Sequence, residues 1–186
     1  SRTTRPAVSR GGLSNTVLSS IGSTPTTTVG GTGVSGDKIL ESVPEFISTE
    51  SEHVIKNQNN SFIVLGRDRP GNRTSGYGGQ GETQCGSIDM VCGRMSSDPR
   101  AVTQDGERVY ANPDFTMDAA RIYISQKTDV DQNFGLVTGK VGSPRTKSGI
   151  AIKADGVRIV GREGIKLVTT TDKRNSQGGQ VQSIVG

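Results

Sequence analysis

Tryptophan is absent from this chain of 186 residues, and aromatic side chains of any kind make up only 4 %. There is one histidine and there are two cysteines. The longest unbroken apolar run is the four-residue stretch Phe62–Leu65, far short of the roughly 18 residues that a membrane-spanning helix needs. Two cysteines are too few for a disulfide scaffold. The hydrophobic set reaches 30 %, against roughly 40 % for ordinary domains once Gly is set aside. What is plentiful is glycine, 26 residues of it, spaced too irregularly for collagen. Apolar residues alternate rather than scatter, which argues against full disorder. The length suits one domain. These absences leave a Gly-rich β protein with little apolar mass for a core of its own.

Charge is nearly balanced, at a formal +4, and the two signs are mixed along most of the chain. The start differs: Arg2, Arg5 and Arg10 precede any acidic residue. Such a basic arm either engages an acidic partner surface or is a solvated terminus. Mixed charge elsewhere argues against nucleic acid as a partner, because a binding face for it would concentrate Lys and Arg. Residues 1–30 lack the apolar core of a secretory signal. Ser1 suits an intracellularly made chain that has lost its initiator Met, and suits an arbitrary boundary equally well.

Residues 1–52 read as an extended docking arm. Its first 36 residues are rich in Ser, Thr and Gly and cannot offset their backbone entropy alone. Leu13, Val17, Leu18 and Ile21 have a spacing that fits one helical face, or anchors that order on a partner; the anchor reading is favoured. Residues 37–46 have room for one helical turn before Pro44 interrupts it.

From His53 to Gly186 the sequence reads as a β body. Strand-like runs at 61–65, 87–92, 121–125, 150–153, 157–160 and 165–168 are mostly rich in β-branched residues and bounded by turn formers. Two long irregular segments, roughly 66–86 and 95–120, separate them; loops of that length are usually functional or held by another chain. Val64-Leu-Gly-Arg67, Val91-Cys-Gly-Arg94 and Ile159-Val-Gly-Arg162 form a weak repeat that puts Gly at strand ends. Chance explains it as well as structure does.

The text from 148 to 170 carries short repeats. Ile150 and Ile152, Val157 and Ile159, and Ile165 and Leu167 form inward pairs with mostly polar residues alternating outward. Strands this short suit stacked rungs better than a sandwich. Three chains about one axis would close a core that one chain cannot. The expected fold is therefore all-β: a short-rung β-helix or β-prism built as an intertwined homotrimer, with an extended N-terminal arm. An ordinary meander of tight hairpins in a monomer is the alternative.

Motifs for chemistry are weak. Gly76-Tyr-Gly-Gly-Gln-Gly81 matches a dinucleotide fingerprint in letters, but neither a strand before it nor a helix after it is expected. Asp129, Asp131 and Asn133 resemble the start of a calcium loop, yet Gly135 falls one position late and Lys140 stands where a bidentate Glu belongs; an Asx-rich turn is favoured. Cys85, Cys92 and His53 supply at most three of the four ligands of a structural zinc site. Cys92 shares parity with Ile88 and Met90 and reads as a small buried residue. The lone His53 has no nucleophile motif beside it. No catalytic residue, metal ligand or cofactor is expected.

The stretches Asn59-Asn-Ser-Phe-Ile-Val-Leu-Gly-Arg-Asp-Arg-Pro70, Ser75-Gly-Tyr-Gly-Gly79 and Gly86-Ser-Ile-Asp-Met-Val-Cys-Gly-Arg94 resemble virion structural proteins of tailed phages, those of cyanobacterial phages above all. Asp118-Ala-Ala-Arg-Ile-Tyr-Ile-Ser-Gln-Lys127 and the rung text after Ser148 add to the likeness, which covers roughly residues 54–186. The final rungs are similar to the shafts of phage spikes, which are commonly homotrimeric. The resemblance implies a non-enzymatic virion component assembled in the host cytoplasm, with itself and other capsid or tail proteins as partners. The alternative is a tail spike or fibre that binds or degrades host polysaccharide. Apolar residues still recur at Ser183-Ile-Val-Gly186, so a longer natural chain, or a cap from another chain, is expected.

Overall fold

The structure is a computed structural model that describes residues 41–181. It is mostly β. Among the described residues seven strands form, β1 (Glu45–Phe46), β2 (His53–Lys56), β3 (Ser61–Arg67), β4 (Gly86–Cys92), β5 (Tyr110–Ala111), β6 (Ala120–Thr128) and β7 (Lys147–Lys153), with single helical turns α1 (Gly76–Gly79) and α2 (Val130–Phe134). Five of the strands make one antiparallel sheet in the order β2-β3-β4-β6-β7, and β1 and β5 pair separately in parallel. β2 and β3 are joined by a tight turn with Asn60 at positive φ.

Strand-forming residues at 61–65, 87–92, 121–125 and 150–153 lie within β3, β4, β6 and β7, which run on to seven or nine residues. The rungs expected at 157–160 and 165–168 do not form within the single chain. Residues 154–172 contain no strand and no backbone–backbone hydrogen bond among the described residues. A three- or four-residue strand holds only when a neighbour pairs with it, and here none does. Glu45–Phe46 is a strand rather than part of a helical turn, because Glu45 N–H donates to Val109 O at 2.9 Å.

The compact unit begins at Ser42. Residues 42–52, placed in the arm by composition, belong to the body: Pro44 is fully buried, Phe46 packs against Phe62, and Glu52 forms a buried ion pair with Arg69.

The two long irregular segments fold over one face of the sheet. In the first, α1 rests on Asp68, whose backbone oxygen accepts Gly78 N–H at 2.7 Å. A Cβ on Gly78 would lie 2.5 Å from that oxygen, so only glycine fits. The glycine-rich letters thus serve a close backbone approach. In the second, Phe115 lies edge-on to Tyr123 at 4.7 Å and to Phe134 at 4.9 Å. Lys153 reaches from β7 across this cover and donates to the carbonyls of Phe115, Thr116 and Asp118 at 2.6–3.2 Å.

Two hairpins outside the sheet share one hydrogen-bond pattern. Thr103 N–H donates to Glu107 O and Val109 N–H to Ala101 O; Asn175 N–H donates to Gly179 O and Val181 N–H to Lys173 O. Gly106 and Gly178 take matching φ of 84° and 82° at the turns.

Candidate interaction face

Period-two alternation in a strand separates the two faces of a sheet, and here the two faces differ in kind. The face under the loops carries Phe62 and Val64 from β3, Asp89 and Val91 from β4, and Arg121, Tyr123 and Ser125 from β6, all buried. Charge is concentrated on this covered side. Arg121 Nε lies 2.8 Å from Asp89 Oδ1 and its Nη2 lies 2.8 Å from Asp118 Oδ2. Its Nη1 donates to Asp114 O at 2.7 Å, and the guanidinium stands 4.3 Å over the Phe115 ring. Arg94 has no exposed surface; its guanidinium rests against the rings of both Phe46 and Phe62, at 4.5 and 4.7 Å, and lies 3.6 Å from Asp118. The backbone of Arg94 is held by Asn60, whose side chain accepts from its N–H and donates to its carbonyl.

Burial dominates the electrostatics here. It pushes the Asp89 carboxyl above the usual aspartate range, against the pull of Arg121 and Arg94. It lowers the Arg94 guanidinium to about 10, with Asp89 and Asp118 opposing the shift. Tyr123 is raised by burial and by Asp68, whose Oδ1 accepts its hydroxyl proton at 2.5 Å. These charges bind the loops to the sheet.

The opposite face is open to solvent and apolar. Strand register aligns Ile55, Ile63, Met90, Ile122 and Ile152 in one cross-strand row, and Leu65, Ile88, Ile124 and Ile150 in a second that begins at His53. No charged side chain interrupts either row. Exposure of the large aliphatics runs from 37 % at Ile124 to 69 % at Ile150. One-sided antiparallel sheets normally turn their polar face to water; this sheet does the reverse.

Of the six residues expected in a trimer core, Ile150 and Ile152 sit on this open face, and Val157 lines a groove there with Ile55, Ile63, Ile122 and Ile152. Ile159, Ile165 and Leu167 are exposed in the unpaired run after β7. Arg2, Arg5, Arg10, Leu13, Val17, Leu18 and Ile21 lie outside the described residues. Cys92 does point with Ile88 and Met90, but it is exposed, because that side has no cover; Cys85 is buried and donates its Sγ–H to Glu82 O, and both thiols are free. The rows missed from sequence, Ile55 to Ile124, had a visible signal in the alternation of Arg121-Ile-Tyr-Ile-Ser125, which shows two faces but not which one is covered.

A shallow cleft on the covered side is lined by Tyr110, Asn112, Asp114, Thr116, Met117 and Asp118, among others. Its carboxylates are committed: Asp114 accepts from the N–H of Thr116 and Met117 and from the Thr116 hydroxyl, and Asp118 is paired with Arg121. Asp129 stands at the N-cap position of α2, but its side chain accepts from Tyr77 Oη and Thr146 N–H rather than from the helical turn, so the calcium-like letters build a turn. Among the described residues no group of three or more His, Cys, Asp and Glu is placed to hold a metal ion, and no helix is long and apolar enough to cross a membrane. Compared with known proteins, the chain matches no family model, no curated protein and no solved structure.

Proposed function

We propose that this chain is a non-enzymatic structural subunit of a tailed-phage virion, attached to the capsid or tail by its N-terminal residues and projecting a homotrimeric β body. The observation that carries the reading is the inverted sheet, which buries its charges under its own loops and leaves its apolar rows to water. A body built this way is incomplete as a single chain. The run after β7, with Leu167 89 % exposed, needs neighbours in the same way, and sister copies would stack it into rungs of a β-helix or β-prism.

In the arm, Arg2, Arg5 and Arg10 pair with acidic groups on the particle while Leu13, Val17, Leu18 and Ile21 bury there. Three arms per trimer raise attachment by avidity rather than by one strong site. A spike that degrades polysaccharide is less well supported, because the carboxylates of the cleft beside the exposed Tyr110 are held in turns and ion pairs.

Removal of residues 1–36 tests this reading. Circular dichroism of the shortened protein should show the body folded, while particles assembled with it should lack it. Attachment at full strength without the arm would refute the docking role, and a host-surface reading would be supported if the isolated protein cleaved or bound host polysaccharide.

A further inference from the structure

The geometry points to the open sheet face, rather than the run after β7, as the main contact between copies of this chain. The two rows together expose on the order of 600 Å² of apolar surface, at the upper end of the largest patch found on a typical monomer. A stable interface buries about 800 Å² on each partner. Val157 already adjoins the rows, and Ile159 extends the apolar surface along the chain, so the face and the start of the run together approach that size.

Its chemistry selects a second copy over a different protein. Partners of another kind are usually chosen by charge complementarity, and neither row offers a charge, because Asp89, Arg94, Arg121 and Lys153 are all engaged on the covered side. An uncharged face of branched side chains in parallel rows is complementary to itself. Two such sheets pack about 10 Å apart with their side chains interdigitated. Three would close a prism with the same rows toward the axis. Burying the face also removes the inversion: each sheet then has its charges under loops and its aliphatics in a shared core.

This inference rests on the self-assembly half of the function proposed above, and a single set of measurements separates the two. Sedimentation of the full-length protein should show an oligomer. Ile122→Glu combined with Ile124→Glu should give a monomer with unchanged far-ultraviolet circular dichroism, because both positions face solvent in the single chain. Val137→Glu, on a loop away from the sheet, should leave the oligomer intact. An oligomer that survives the paired glutamates overturns the face while leaving self-assembly standing. A monomeric wild-type protein overturns both. Should the paired variant fail to fold, the wild-type thiols decide. Cys92 lies on the open face and lines its groove, whereas Cys85 is buried. In the oligomer Cys92 should resist a maleimide, and dilution to monomer should make it react. A Cys92 that labels at the same rate in both states refutes the interface. Protection that disappears on removing residues 1–40, with no change in the number of chains per particle, assigns the face to this chain's own N-terminal segment and also refutes it.

Discussion

Arg121 Nε and Asp89 Oδ1 meet at 2.8 Å diagonally across β6 and β4, on the face of the sheet that the loops cover. Around this pair the usual division of labour in a sheet is reversed. Guanidinium groups, carboxylates and aromatic rings form the interior, and aliphatic rows form the surface. The ionic interior fixes where the loops lie, since Arg121 reaches β4, Asp118 and the Asp114 carbonyl at once.

That geometry ranks the two buried arginines. Arg121→Met leaves Asp89 and Asp118 without their close partner, and breaking a buried pair in this way costs about 3–5 kcal/mol. Arg94→Met should cost clearly less. None of the three guanidinium nitrogens of Arg94 makes a hydrogen bond, and a methionine can occupy the space beside Phe46 and Phe62. Urea denaturation of both variants checks the order, and equal losses would show that Arg94, despite its geometry, carries as much of the network as Arg121.

Two aspartates should respond to acid in opposite senses. Asp89 has a raised folded value, mainly through burial, so the folded chain holds that proton more tightly than the unfolded one. Its charge opposes folding above the folded value, and the penalty lifts as pH falls through that value to the ordinary aspartate range. Asp114 is lowered. Burial is the largest single influence and raises it, but the hydrogen bonds from Met117 and Thr116, with Arg121 nearby, outweigh burial together. Its contribution is present above the ordinary value and is lost as pH falls through the folded one. From pH 7 to pH 3, wild type should therefore gain on Asp89→Asn, while its margin over Asp114→Asn should begin to shrink once the pH is below the ordinary aspartate range. Urea midpoints along that series measure both trends.

Gly93 closes β4 at φ 79°, and a Cβ there would lie 2.8 Å from the Ala119 Cβ. Backbone bonds fix both residues, since Gly93 N–H donates to Asn60 O and Ala119 N–H to Gly93 O. Gly93→Ala should cost about 1–3 kcal/mol, combining the left-handed backbone with the clash. Ala119→Gly in the same chain should return the steric part and leave the conformational part. A double-mutant cycle in urea reads the division, and full additivity would exclude the contact.

The strands were legible because β-branched runs between turn formers need only local chemistry. Ser61–Leu65 and Arg121–Ser125 carry both signals in a few residues. The rungs at 157–160 and 165–168 were equally clear as patterns, but a pattern states which side chains agree and not which chain pairs with them. The orientation of the sheet was hidden for a different reason. Arg121, Tyr123 and Ser125 share one parity and Ile122 and Ile124 the other, and alternation separates the two sets without saying which of them is covered. Their burial depends on Asp89, Asp118 and Phe115 arriving from elsewhere in the sequence, which no local reading registers. The residue 52 boundary failed similarly, since Glu45, Phe46 and Glu52 gain their place from Val109, Phe62 and Arg69.

Lys153 offers a separate test of whether the two faces act independently. Its ammonium group donates to three loop carbonyls on the covered side, while its neighbour Ile152 stands in the open row. Lys153→Met keeps the aliphatic stem and removes the charged donor, leaving those carbonyls to water where it can reach them. The loss should be about 1–3 kcal/mol in urea denaturation, as for hydrogen bonds from a charged group. Amide exchange should quicken in residues 114–119, where the cover is tied down, before it does so in β4. Sedimentation should match wild type, because no atom of the open rows has changed. A shift in mass with this variant would mean that the loops and the apolar face are coupled through β7, and that the covered side helps to set the geometry of the open one.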